Sequence, residues 1–505
     1  KFVGQQDNCE IIQLNSFGCG LDAVTTDQVA EICNNNNKLY TVLKIDEGSN
    51  LGAAKIRIRS LIAAMNEREK NHVKATPTNK PYERAVYTKQ MQDEKYTIMM
   101  PQMSPIHWNL IEAMMQSCGY NAKQLPPVSV DAVDEGLKYV NNDACYPTIV
   151  TLGQVIVGLK SGDYNLDRTA IFMSQTGGQC RASNYIALLR KALKDMGMSN
   201  IPIISVNTAG LEKNPGFKLL SYKLIKRGMI AINLGDLLMR VLYRTRPYEV
   251  VPGSANALYK KWNEIAMECC RKGSWTQYKK VCKDICDDFD ALPLKDVKKP
   301  RVGVVGEILV KYHPTANNDI VGVIEKEGGE AVVLDLLDFF LYGMYNKKFN
   351  YEHLAGTRKQ MLGNLGAIKF LEMIREPMRK ALRNSNRFTE PAHIEETAKA
   401  AQQVISLGNQ CGEGWLLTGE MVELIGKGVE NIACLQPFAC LPNHVTGKGM
   451  MNAMRRFSPN ANIVAIDFDP GASYVNQLNR IKLMMTTAHK NLKKQLADEK
   501  EEVKA

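Results

Sequence analysis

Short apolar runs of strand type, each followed by a stretch with helical periodicity, set the pattern of this chain. Glu10-Ile11-Ile12-Gln13-Leu14 is such a run; the turn formers Asn15-Ser16-Phe17-Gly18-Cys19-Gly20 end it, and Asp22 to Ile32 reads as a helix. Cys19 therefore falls at a strand-to-helix junction. Leu39 to Ile45 predicts a second strand, and a basic amphipathic helix follows from about Gly52 to Glu67. From Lys70 to Glu94 the chain is polar, holds Pro77 and Pro81, and shows little apolar periodicity, which predicts a linker or surface excursion.

Tyr96 to Pro101 opens a fresh unit: a strand, a helix over Trp108 to Cys118, and a stop at Gly119-Tyr120. Ala170 to Met173 and Ile201 to Val206 predict further strands, with a helix over Ser183 to Met196 between them. Strands alternating with helices imply parallel sheets covered on both faces. From about Gly216 to Asp290 the pattern turns helical. Arg301 to Ile308 is a glycine-punctuated buried strand that starts a second α/β unit, continued by a helix and strand over Asn318 to Leu334. Residues 335–400 read as a helical insertion. Trp415 to Ile425 predicts a helix, Asn431 to Leu435 and Ile463 to Phe468 strands, and Val475 to Lys500 a long helix with a charged end.

The pattern also repeats. Laying residues 11–59 on 432–480 without a gap matches Ile11, Leu14, Phe17, Cys19, Val24, Thr25, Ile45, Asp46 and Arg59 to Ile432, Leu435, Phe438, Cys440, Val445, Thr446, Ile466, Asp467 and Arg480. Random pairing at ordinary composition would give roughly three identities. The division expected is residues 1–75 as the C-terminal part of a preceding α/β repeat module and 76–94 as a linker. Residues 95–298 then form a first α/β domain and 299–505 a second that carries the insertion.

With 505 residues and 45% hydrophobic content, the chain can bury more than one core. A net charge of +11 comes from scattered lysines rather than a basic stripe interleaved with aromatics, so no nucleic-acid partner is expected. No run of 18 apolar residues marks a membrane span. The start at Lys1-Phe2-Val3 has neither an initiator Met nor a signal pattern, which reads as a chain cut from something longer. Thirteen cysteines, an odd number without secretory features, argue for reduced thiols in the cytoplasm rather than a disulfide framework.

Three cysteines stand apart: Cys145 in Asn141-Asn142-Asp143-Ala144-Cys145-Tyr146-Pro147, Cys180 in Gly177-Gly178-Gln179-Cys180-Arg181, and Cys440 in Phe438-Ala439-Cys440-Leu441-Pro442-Asn443-His444. Each lies beside residues that end strands and open helices. Thiols at the carboxyl ends of parallel strands would converge in the crevice where open α/β sheets bind ligands, with helix N-termini lowering their pKa. Three sulfurs on a 4Fe-4S cluster would leave one iron open for a substrate, sulfide or water. A lone cysteine is more often a small buried hydrophobe, the reading given to Cys9, Cys33, Cys118, Cys269 and Cys270. Cys282 and Cys286 share a helix face without turn chemistry, and Cys411 and Cys434 are weaker metal candidates. His444 and Glu413 are the candidate proton-transfer residues, with Glu420 and Glu307 beside them. Ser174 and Gln175 are expected on the crevice rim, and Asn443 as a donor to a cluster sulfur.

Gln13 to Ala23, Leu43 to Glu47, Asp143 to Pro147 and Gln436 to His444 resemble the C-terminal part of the large acyl-CoA dehydratase activase-related proteins. Those proteins are relatives of the 2-hydroxyacyl-CoA dehydratases and the double-cubane cluster proteins. The resemblance implies an α/β fold of two Rossmann-like (flavodoxin-like) parallel-sheet domains with iron–sulfur clusters held between them. It implies either a 4Fe-4S cluster or an 8Fe-9S double cubane in which each cubane takes three cysteines: Cys145, Cys180 and Cys440 as one set, Cys19 as part of another. The implied partner is an ATP-hydrolysing activase with its own 4Fe-4S cluster, fused upstream in the large proteins, and a homodimer is expected. Gly447-Lys448-Gly449 lacks P-loop spacing, so ATP hydrolysis is expected elsewhere. The activity implied is ATP-dependent reduction or reductive dehydration of a small substrate; the alternative is a non-enzymatic electron carrier.

Overall fold

The computed structural model describes residues 2–15, 22–45, 51–77, 84–127, 130–140, 144–175, 178, 180–206, 212–219, 221–438 and 440–502. Every sheet in it is parallel. β1 (Ile11–Asn15) and β2 (Tyr40–Lys44) pair with each other. β3 (Thr97–Met100), β4 (Asn121–Gln124), β5 (Thr169–Ser174) and β6 (Ile203–Val206) form a sheet in the order β4-β3-β5-β6. β7 (Arg301–Gly306), β8 (Glu330–Val333), β9 (Asn431–Pro437) and β10 (Asn462–Phe468) form another, in the order β10-β9-β7-β8. Read from the second strand outward, the two four-stranded sheets have the same winding. In each, the first and third strands are neighbours while their connections leave in opposite directions, which opens a crevice beyond their carboxyl ends.

Both sheets are buried on two faces, as their near-continuous apolar strands require: Val302, Val304 and Val305 in β7 and Ile432 to Leu435 in β9 are fully buried. One large core cluster contains residues of both sheets, among them Ile98, Met100, Val302 and Val304. The helix Tyr222–Thr245 runs between them. Its Asp236 is fully buried, lies 3.0 Å from His107 Nε2, and accepts the backbone N–H groups of Leu336 and Leu337 at 2.7 and 3.2 Å. His107 Nδ1 in turn lies 2.7 Å from the Ser104 hydroxyl. A serine, a histidine and an aspartate are thus in line, but with almost no exposure they serve to tie helices of the two lobes together rather than to meet a substrate.

The insertion expected over 335–400 is helical: Leu337–His353, Arg358–Arg383 and Ile394–Gln402 pack into a core shared with Trp415 and Leu416. Several elements escaped the sequence reading, among them β4, polar at three of its four residues, and the helices Val130–Tyr139, Leu441–Thr446 and Met451–Phe457. The helix Tyr146–Lys160 escaped it too, because it is buried on nearly every side and shows no amphipathic period. The helix expected from Trp108 starts earlier, at Pro105, because proline is pre-shaped for the first helical turn.

The internal repeat has a structural counterpart. β1 and β2 are joined through the helix Asp22–Asn35 and followed by Leu51–Lys70; β9 and β10 are joined through two short helices and followed by Tyr474–Glu502. Ile11 faces Tyr40, whereas Ile432 faces Ile463, so the gapless alignment is two residues out at the second strand. An even slip leaves every side chain on its own face.

Candidate functional site

Cys145 is placed by a helix pair. The helices Val130–Tyr139 and Tyr146–Lys160 approach so closely that a Cβ on Gly153 would stand 1.6 Å from the Ala132 carbonyl oxygen, and one on Gly136 2.3 Å from that of Ile149. Gln154 then fixes the second helix to the sheet, accepting the Gln102 N–H at 2.9 Å and donating to the Pro126 carbonyl at 2.7 Å. Cys145 is the extended N-cap of this helix. It therefore enters from a helix–helix turn, and the expectation that all three thiols leave strand ends holds only for Cys180 and Cys440. Cys180 follows β5 and caps the short turn Arg181–Ser183. Cys440 follows β9 and caps Leu441–Thr446. Cys19, Asn141 to Asp143, Gly177, Gln179 and Ala439 lie outside the described residues.

Across the crevice, β7 ends on Gly306 at φ +149°, where a Cβ would stand 1.9 Å from the Leu435 carbonyl oxygen, so only glycine lets β7 and β9 run this close. Glu307 comes next; its N–H donates to Leu435 at 3.0 Å and its carboxylate caps the following helix by accepting the Val310 N–H at 2.9 Å. Glu413 reaches in from the N-terminus of the helix Gly414–Gly426 and accepts the Ile308 N–H at 3.0 Å. Glu420, about two helical turns further on, is held by the buried ammonium of Lys311 at 2.7 Å.

These groups feel one another. Cys145 Sγ lies 3.0 Å from the Thr148 hydroxyl and 3.9 Å from that of Tyr185. Burial pushes the Tyr185 phenol well above its ordinary value, and the charges of Cys145, Glu307 and Cys180 add to that. Burial also raises the Cys145 thiol, opposed by Thr148 and the Arg181 guanidinium. Glu307 is pushed up to about 8, first by burial and then by the Glu413 carboxylate. Glu413 is raised by burial against the pull of the Ile308 N–H. Glu307 so placed keeps its proton at neutral pH.

Several buried polar atoms here have no hydrogen-bond partner among the described residues: both amide atoms of Asn443, Asn184 Nδ2, Gln436 Oε1 and His444 Nε2. Asn443 and His444 follow Cys440 and Asn184 follows Cys180, so the unmet groups flank the thiols. Buried amides are rarely left this way unless a further group meets them. Among the described residues no three of His, Cys, Asp and Glu are gathered to hold a single metal ion.

The other candidates separate. Cys434, on β9, is fully buried in the core with its thiol pushed up to about 12, and Cys282 and Cys286 are core residues of the helix Trp275–Asp290. Cys411 is exposed. His444 is half-buried and its pKa is lowered by that burial. Gln175 accepts the Ser205 hydroxyl at 2.9 Å and donates to the Ser183 carbonyl at 2.7 Å. Tyr185, Thr148 and Asn184 escaped the sequence reading; single residues in a helix start carry no signal of their own. No family model and no curated protein matches this chain. No described helix is long and apolar enough to cross a membrane.

Proposed function

We propose that the crevice holds an iron–sulfur cluster on Cys145, Cys180 and Cys440, in a protein of the 2-hydroxyacyl-CoA dehydratase and double-cubane type. It would take low-potential electrons from an ATP-hydrolysing activase and use them to reduce or reductively activate a small substrate. The observation that carries the reading is the crowding around the Tyr185 hydroxyl: two thiols from the first lobe and Glu307 from the second act on it together. Cys440 belongs to the second lobe's wall, one strand over from Glu307.

Bound there, a cluster supplies one-electron transfer at potentials that reach about −700 mV. The chain's own residues have other duties. Glu307 keeps its proton near neutral pH and can release it toward the crevice, with Glu413 holding it there through mutual repulsion. Asn443 and Asn184 offer buried amide groups for hydrogen bonds to sulfide. Leu309 and Ala316 of the second lobe pack on Ala132 and Val150 of the first and close one side to water.

Anaerobic purification or reconstitution tests this. Iron and acid-labile sulfide in matching amounts, broad visible absorption, and an EPR signal on reduction are expected, and all should fall away in Cys145→Ala and Cys440→Ala. Parent protein that takes up no iron under these conditions sinks the reading.

A further inference from the structure

A cavity of about 570 Å³ lies at the opposite end of the second sheet from the crevice, where Arg301 and Asn431 open β7 and β9. Its wall carries Arg244, Lys295, Lys298, Lys299, Arg301 and Arg387 against only two carboxylates, Asp296 and Glu430. Beside it the buried carboxylate of Glu330 is shared by Arg244, by Arg301 at 3.1 Å and by the Tyr248 hydroxyl at 2.7 Å, so one negative charge serves two guanidiniums. Lys298 is paired with Glu499 at 2.7 Å. Among the described residues, Lys295 and Lys299 are in no ion pair; Lys299 lies 5.8 Å from the centre of the Tyr248 ring.

Arg387 donates to the carbonyls of Phe289, Asp290 and Leu292. Burial lowers its pKa; Asp290 opposes this and the like charge of Arg244 adds to it. Cations held near one another in a concavity focus a positive field on whatever enters it. Leu294 and Leu492 add apolar surface next to Tyr248, and Asn491 and Gln495 on the helix Tyr474–Glu502 add amides.

We infer that this cavity binds a small polyphosphorylated anion of nucleoside-diphosphate size. Guanidiniums grip phosphate oxygens through paired N–H groups, and ammonium groups add point charge at the rim. The volume falls in the range of small-molecule sites, roughly 300–1,000 Å³. A recess of this kind admits a free ligand, whereas a membrane surface or a nucleic-acid backbone calls for a convex or extended basic face. The apolar wall and the tyrosine give a base or other flat group a place beside the phosphates. The site is remote from the cysteines, so its fate is independent of the cluster.

Calorimetric titration of the full chain with inorganic pyrophosphate and with ADP tests the inference. Both should bind at one site per chain, ADP more tightly, and both more weakly as salt is raised. The double variant Lys295→Gln/Lys299→Gln removes two rim charges that are in no ion pair among the described residues, and should bind each ligand at least about tenfold more weakly with a melting temperature close to the parent's. No binding of either ligand at millimolar concentration overturns the inference, as does equal binding by the double variant. So does binding of anionic vesicles or RNA by a chain that takes up neither small ligand.

Discussion

Glu307 shows how much one residue's surroundings change its chemistry. Its folded pKa is raised from 4.5 to about 8, so between those values the unfolded chain loses the proton while the folded one keeps it. Folded stability from this group is therefore full below about pH 4.5 and is lost as pH rises toward 8. His313, fully buried, is pushed down from 6.5 to about 4, so its contribution is present above pH 6.5 and is lost as pH falls toward 4. Urea unfolding of Glu307→Gln should show a smaller loss of stability between pH 5 and 8 than the parent, while His313→Gln should lose less on acidification from 6.5 to 4. Parallel pH profiles for parent and variants would refute the assignment. In the sequence Glu307 stood beside the candidate proton-transfer residues as a residue that follows a strand, with a surface or capping role equally open. The capping role is present, but the residue is buried, because burial at that point depends on the first lobe closing over it.

At the scale of elements, the helix start that carries Cys145 depends on two glycines. Gly153→Ala would drive a methyl group into the Ala132 carbonyl and force Val130–Tyr139 away from Tyr146–Lys160. A loss of at least about 1–3 kcal/mol in chemical unfolding is expected, as for overpacked cores, together with reduced iron uptake because Cys145 moves with its helix. A variant with parent stability would show that the helices part freely. The insertion is pinned in a different way. Arg375 is fully buried and donates to Asp335 at 2.5 Å and to Asp338 at 2.8 Å, joining the helix Arg358–Arg383 to the segment after β8 and to the first turn of Leu337–His353. Arg375→Ala leaves buried carboxylates short of a partner and should cost about 3–5 kcal/mol in urea unfolding. The strand before Cys180 and the helical character of the insertion were legible from periodicity. The close helix pair was not, since Gly136 and Gly153 look like ordinary helix glycines until the second backbone lies against them.

For the whole molecule, the arrangement that matters is two equally wound sheets with a shared core and the helix Tyr222–Thr245 between them. A group held by thiols from both lobes binds the folded protein far better than the unfolded one, so loading should raise the melting temperature and make the lobes unfold together. Cys145→Ala and Cys440→Ala sit on opposite lobes, yet each should abolish that rise. If either variant keeps it, the cluster does not bridge the lobes. The repeat relation between the β1–β2 unit and the β9–β10 unit belongs to this scale as well: the same strand, helix, strand, helix order and the same parallel sense recur, with the second strand shifted by an even step.

The sequence by itself determined the α/β class, the parallel sense of the sheets, the helical insertion and the three cysteines worth following, because periods of two and 3.6 residues and turn formers act over short distances along the chain. Which of those cysteines keep company, that Cys145 leaves a helix rather than a strand, that Cys434 is a core thiol, and that Glu307 shares a buried space with Tyr185 were decided only by the tertiary structure. Proximity across more than a hundred residues depends on how the two sheets pack, and nothing in the local pattern encodes that distance.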